Sequence, residues 1–131
     1  CHCLVGSEMC IRDRFMADEL GKKGGKTWVY QFNRVRDDKL AQKYGAFHGA
    51  ELPYVFDTHD EWLPTNEKDR ELTREIQSYW LSFAKTGNPN NGDAVTWPKY
   101  DSYNNPTLVL DDEIYQRNHE SSEICKIMDL F

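Results

Sequence analysis

The segment Gly45-Ala46-Phe47-His48-Gly49-Ala50-Glu51 places an imidazole among small residues, where a substrate can approach the ring. With an unperturbed pKa of about 6.5, a histidine accepts a proton from a hydroxyl nucleophile at neutral pH and returns it to a leaving group. Taken by itself, an isolated histidine in a glycine loop reads as a surface or structural residue, so the context of His48 has to decide. A serine nucleophile on a strand-to-helix elbow needs the pattern G-x-S-x-G. None of Ser7, Ser78, Ser82, Ser102, Ser121 or Ser122 has glycines two positions away on both sides. Glu51, three residues after His48, is the nearest acid that could orient the ring.

Other reactive side chains are less promising. His59, in Asp57-Thr58-His59-Asp60, reads as part of a solvated turn, and His119 as an exposed residue in an acidic stretch. Cys125, between Ile124 and Ile127, fits a buried apolar position, with a reactive thiol as the alternative. Cys1, His2 and Cys3 are too close together for the usual C-x(2-4)-C knuckle, and no second ligand pair is present. No metal and no cofactor is therefore expected.

The elements that must position His48 have clear local signals. Phe15, Met16 and Leu20 have near-helical spacing, and Gly24-Gly25 suits the end of that helix. Thr27 to Asn33 is rich in β-branched and aromatic residues, with Trp28, Tyr30 and Phe32 on one face. With Val29 on the other face, it reads as an inner strand of a covered sheet. Residues 34–47 read as a loop, and Leu52 to Phe56 as one or two helical turns. The spacing of Leu72, Ile76, Tyr79, Trp80, Phe83 and Ala84 predicts a helix from about Lys68 to Lys85. Thr65 or Asn66 would cap it, Glu67 and Asp69 suit its positive end, and Gly87 stops it. Beyond it lie a turn at 90–93, an aromatic loop at Trp97 to Tyr100 and a short strand from Thr107 to Leu110. The signals from Ile114 to Phe131 are mixed.

Composition limits the partners. The 131 residues are 39% apolar and 29% charged, and carry a net charge of -6, without the clustered basic surface that a phosphate backbone requires. Lys22, Lys23 and Lys26 are offset by Asp18 and Glu19, so nucleic acid is not an expected partner. No segment has the length and apolarity of a membrane span. The stretch Leu4 to Arg14 resembles a translated sequencing adaptor, so residues 1–14 are expected to be non-native and 15–131 to be the native part. Compartment and oligomeric state are not legible in these residues.

The segment from Gly45 to Phe56 closely resembles the catalytic-histidine motif of type B carboxylesterases and cholinesterases. Trp28-Val29-Tyr30-Gln31-Phe32 resembles the strand before that motif. Tyr79 to Asn90 and Trp97 to Tyr100 resemble the family's C-terminal helix and the aromatic loop after it. The resemblance, over residues 15–131, implies the C-terminal portion of an α/β-hydrolase fold: a partial sheet plus the C-terminal helix, incomplete on its own. It implies hydrolysis of small-molecule carboxylic esters by a serine-histidine-acid triad. Only His48 maps onto that triad. The order serine, acid, histidine puts the other two members upstream of residue 15, so this chain alone is expected to be inactive. The family pattern makes Glu51 a companion of the motif, and Asp57 departs from its usual glycine, which puts the local turn in question. Family members are often secreted. The rival implication is a non-catalytic, cholinesterase-like adhesion domain, which keeps the histidine segment and loses the serine.

Overall fold

The computed structural model describes residues 3–59, 64–92 and 94–118, with residues 3–12 and Leu40 described by their backbone. The expectations for His119 and Cys125, and those for Cys1 and His2, lie outside the described residues. In chain order the elements are α1 (Cys3–Lys22), β1 (Tyr30–Phe32), α2 (Lys39–Tyr44), α3 (Leu52–Phe56), α4 (Glu67–Thr86), β2 (Pro106–Leu110) and β3 (Tyr115–Asn118). The strands form one sheet in the order β1-β2-β3. The chain divides into two compact units, Cys1–Tyr30 with Pro98–Leu108 and Gln116–Phe131, and Gln31–Trp97 with Val109–Tyr115.

In the first unit, α1 ends where Gly24 turns to φ 80° and the Gly25 amide donates to the Leu20 carbonyl at 2.9 Å. A left-handed residue after the last turn costs glycine nothing, which is why the helix stops there. The α1 backbone continues N-terminally of Phe15, through residues read from the sequence as adaptor-derived. The Tyr100 amide donates to the Thr27 carbonyl at 2.8 Å, and the Leu108 amide to the Val29 carbonyl at 3.0 Å. Tyr100 is buried, its hydroxyl bonded to Asn105 Oδ1 at 2.9 Å, and burial pushes its pKa up to about 12.

The second unit is built on α4. Asn66 accepts from the Asp69 amide, and the Asp69 carboxylate accepts from the Asn66 amide, a reciprocal capping box. Gly87, at φ 70°, closes the other end by donating to the Phe83 carbonyl at 2.7 Å. Leu72, Ile76 and Tyr79 are buried along one face. Tyr79 meets Trp97 edge-on with centroids 5.6 Å apart, and its hydroxyl donates to the Val95 carbonyl at 2.6 Å. Phe83, expected in the same stripe, is 48% exposed: it sits in the last turn, where the stripe loses its cover. Asp69 and Thr73 take up the other end of that stripe and are buried with their hydrogen bonds made.

Two further expectations change. The strand expected over 27–33 is regular only at Tyr30–Phe32 and half-buried, and among the described residues it is an outer strand of the sheet, whereas β2 is the buried centre. Aromatic and β-branched content measures fit to a pleated surface, and does not say how many neighbours a strand has. The pairs Leu108 to Val29 and Asn33 to Leu110 advance together along both strands, so β1 and β2 run parallel. Their crossover carries α2, α3 and α4. The segment 34–47 is also not all loop, because the Asp38 carboxylate accepts from the Ala41 amide at 2.9 Å and starts α2.

Candidate active site

His48 lies in the turn between α2 and α3. Gly45, at φ 68°, ends α2 by donating to the Ala41 carbonyl at 2.7 Å. Gly49, at φ 86°, reverses the chain just after His48, with the Ala50 amide bonded to the Phe47 carbonyl at 3.0 Å and the Leu52 amide to the Gly49 carbonyl at 3.1 Å. A side chain at Gly49 would be strained by that φ, so the small residues beside His48 have a backbone reason to be small. The imidazole is exposed and makes no hydrogen bond with any described residue. Glu51 occupies the cap position of α3 without a side-chain cap bond. Phe47 and Gly49, the residues on either side of His48, line an apolar cleft of about 600 Å³ together with Phe32, Leu52 and Tyr54.

Behind that cleft is a buried polar network. Arg34 and Asp69 are both buried and pair at 2.9 Å through Nε and Oδ1. The Arg34 guanidinium also bonds Asp112 at 2.6 Å and the Val35 carbonyl at 3.0 Å. Asp69 Oδ1 accepts the Tyr54 hydroxyl at 2.7 Å, and Oδ2 accepts the Asn66 amide at 2.9 Å. Burial works to raise the Asp69 pKa, but the bonds from Arg34, the Asn66 amide and Tyr54 outweigh it and hold the carboxyl below its ordinary value. Burial, joined by the bond to Asp69, raises the Tyr54 phenol well above its ordinary value.

Arg36 is also buried, donating to the Pro64 carbonyl at 3.0 Å and Thr65 Oγ1 at 2.9 Å, with its guanidinium carbon 4.9 Å from the Tyr54 ring centroid. Its Nη2 is 2.9 Å from His59 Nδ1. A guanidinium only donates, so His59 Nδ1 accepts, and the proton sits on Nε2, which faces Thr73 Oγ1 at 2.7 Å. The Thr73 hydroxyl in turn donates to the Asp69 carbonyl at 2.7 Å. His59 is thus not a residue of a solvated turn, as its polar neighbours suggested, but a half-buried one with both ring nitrogens engaged. Burial, and next the Arg36 charge, lower its pKa.

Sequence reasoning missed the Arg34, Tyr54 and Asp69 hub. Its one local signal is the Asn66-x-x-Asp69 spacing of a capping box, which marks Asp69 but neither of its long-range partners. Among the described residues, no three His, Cys, Asp or Glu side chains group as metal ligands, and no helix is long and apolar enough to cross a membrane.

Comparison with known proteins gives these features a setting. The sequence profile of the carboxylesterase family matches residues 9–128. The chain belongs to that family. Its match begins inside the segment that reads as adaptor-derived. The chain is 39% identical over 101 residues to the para-nitrobenzyl esterase of Bacillus subtilis (strain 168), covering 73% of this chain and 20% of that protein. It is 34% identical over 89 residues to acetylcholinesterase 1 of Caenorhabditis elegans, covering 62% and 14%. The solved structure of a thermophilic PNB esterase superposes with a TM-score of 0.68 at 36% identity, over 82% of this chain and 22% of that one. The chain therefore spans between 14% and 22% of the length of these relatives. Its parallel β1-β2 pair and crossover helices are part of an α/β-hydrolase fold.

Proposed function

We propose that this chain is the histidine-bearing, C-terminal part of a carboxylic ester hydrolase in which His48 is the general base. The observation that carries the reading is an exposed imidazole between two glycine turns, beside an apolar cleft, in a member of the carboxylesterase family. In the full-length protein, His48 would take the proton of a serine as it attacks the ester carbonyl, hand that proton to the leaving alcohol, and then activate water to release the acid. The serine and the acid that orients the ring would come from sequence outside this chain. Glu51 is not that acid in this reading: it stands at the N-cap position of α3, and no hydrogen bond among the described residues joins it to His48. Small-molecule esters with an apolar portion suit the cleft walls.

The test is replacement of His48 in the full-length esterase that contains this chain. His48→Asn is expected to lower kcat for a para-nitrophenyl ester by about 10⁴-fold or more. Wild-type turnover by the variant would sink the assignment.

A further inference from the structure

We propose that Tyr54 and Asp69 are positioning residues for His48: the Tyr54 hydroxyl, latched onto the Asp69–Arg34 ion pair, fixes the turn that carries the imidazole. The proposal rests on the reading of His48 as the general base and adds what holds that base in place.

His48 has no hydrogen bond to a described residue, so within this chain the place from which its ring is aimed is set by the backbone that carries it, whatever acid then orients the ring. That backbone is bounded by Gly45 and Gly49, both at positive φ and both conformationally permissive. The next element is α3, a helix of five residues without a side-chain cap, and so short a helix is not stable by itself. Its fixed point is Tyr54. The Tyr54 side chain is 1% exposed, its ring lies 5.1 Å from Phe32 and 4.9 Å from the Arg36 guanidinium carbon, and its hydroxyl bonds Asp69 at 2.7 Å. Asp69 in turn has no freedom. It caps the first turn of α4, and the oxygen that receives Tyr54 also receives Arg34, from the segment just after β1. One carboxylate thus ties β1, α3 and α4 together, and α3 joins the His48 turn through the Leu52 to Gly49 bond. Burial would favour a neutral acid, but the donors around Asp69 keep it ionised, so the latch is closed at neutral pH.

The experiment uses the full-length esterase containing this chain, with kcat and KM measured from pH 5 to 9. Tyr54→Phe removes one oxygen. It is expected to lower kcat about 10-fold, leave KM within about twofold, and shift the acid limb of the kcat profile, because a misaimed base reacts poorly while substrate still binds. Tyr54→Phe with Asp69→Asn is expected to be little worse than the worse single variant, as for residues acting as a unit. Arg34→Lys, which keeps the charge and loses the Nε–H bond to Asp69, is expected to move the same limb less. Leu72→Val loosens α4 without touching the latch and is expected to lower the unfolding midpoint with an unchanged pH profile. Because Asp69→Asn also weakens the capping box of α4, Tyr54→Phe carries the decision, and Arg34→Lys carries it if Tyr54→Phe does not fold. An unchanged kcat and pH profile in the deciding variant overturns the latch, as does Leu72→Val reproducing the shift. His48→Asn separates the two readings: if it retains turnover the base assignment fails, and if it is inactive while Tyr54→Phe is normal only the latch fails.

Discussion

Asp57 sits at φ 53° and ψ 43°, closing α3 with its amide bonded to the Pro53 carbonyl. An L-residue in that left-handed conformation is strained by its Cβ, and Asp tolerates it better than most because its short polar side chain bonds locally. The departure from the family's glycine therefore leaves the turn intact at some energetic cost. Asp57→Gly in the full-length protein is expected to stabilise it by about 0.5 kcal/mol, the relief of strain being partly offset by the greater freedom of glycine in the unfolded chain. A urea midpoint that falls would contradict this. His59 gives a second prediction at the same scale. Its folded pKa lies below the ordinary 6.5, so as pH drops past about 6.5 the unfolded chain takes up a proton that the folded protein resists. The stability His59 contributes is complete above that value and is lost as pH falls toward the folded pKa. Protonation would set Nδ1–H against the Arg36 donor. The urea midpoint of the wild type is expected to decline from pH 7 to 5 more steeply than that of His59→Gln; parallel curves would argue against it.

At the scale of elements, α4 shows what a sequence can specify. Asn66, Asp69 and Gly87 are local signals, and both ends of the helix are set by them. Asn66→Ala removes one half of the capping box and is expected to destabilise the protein by about 1 kcal/mol, read as a lower urea midpoint; an unchanged midpoint would mean the cap is dispensable. The proposal of His48 as the base rests on a different kind of signal, the motif around it, since its spacing alone is compatible with an ordinary surface residue. The pairing of β1 with β2 was not legible, because strand order depends on which segment pairs with which, and β2 lies far along the chain. Neither was the latch: Arg34 and Asp69 are 35 residues apart, and no local pattern pairs a strand-end arginine with a helix-capping aspartate. The start of α2 does have a local signal, since Asp38 is an ordinary cap residue ahead of a helical stretch.

For the whole molecule the deciding feature is uncovered apolar surface. Phe15 and Met16 on α1 are 63% and 61% exposed, and Phe56 and Leu81 are 66% and 55% exposed. Single exposed apolar residues need no explanation, but several large aromatic and aliphatic side chains left exposed in so short a chain are read as surface that another part of a protein covers. The chain spans between 14% and 22% of the length of the relatives it matches. Expressed alone, it is therefore expected to bind a hydrophobic dye, to show poorly dispersed amide resonances, and to aggregate as concentration rises. It is also expected to hydrolyse no ester, because no serine in it has the flanking glycines of a nucleophile elbow, and an imidazole without a nucleophile gains little over solvent. A cooperative thermal transition would overturn the first expectation, and His48-dependent turnover by the purified chain the second. The two are separable, since a chain that folds and remains inactive would place the missing chemistry, rather than the missing core, outside these 131 residues.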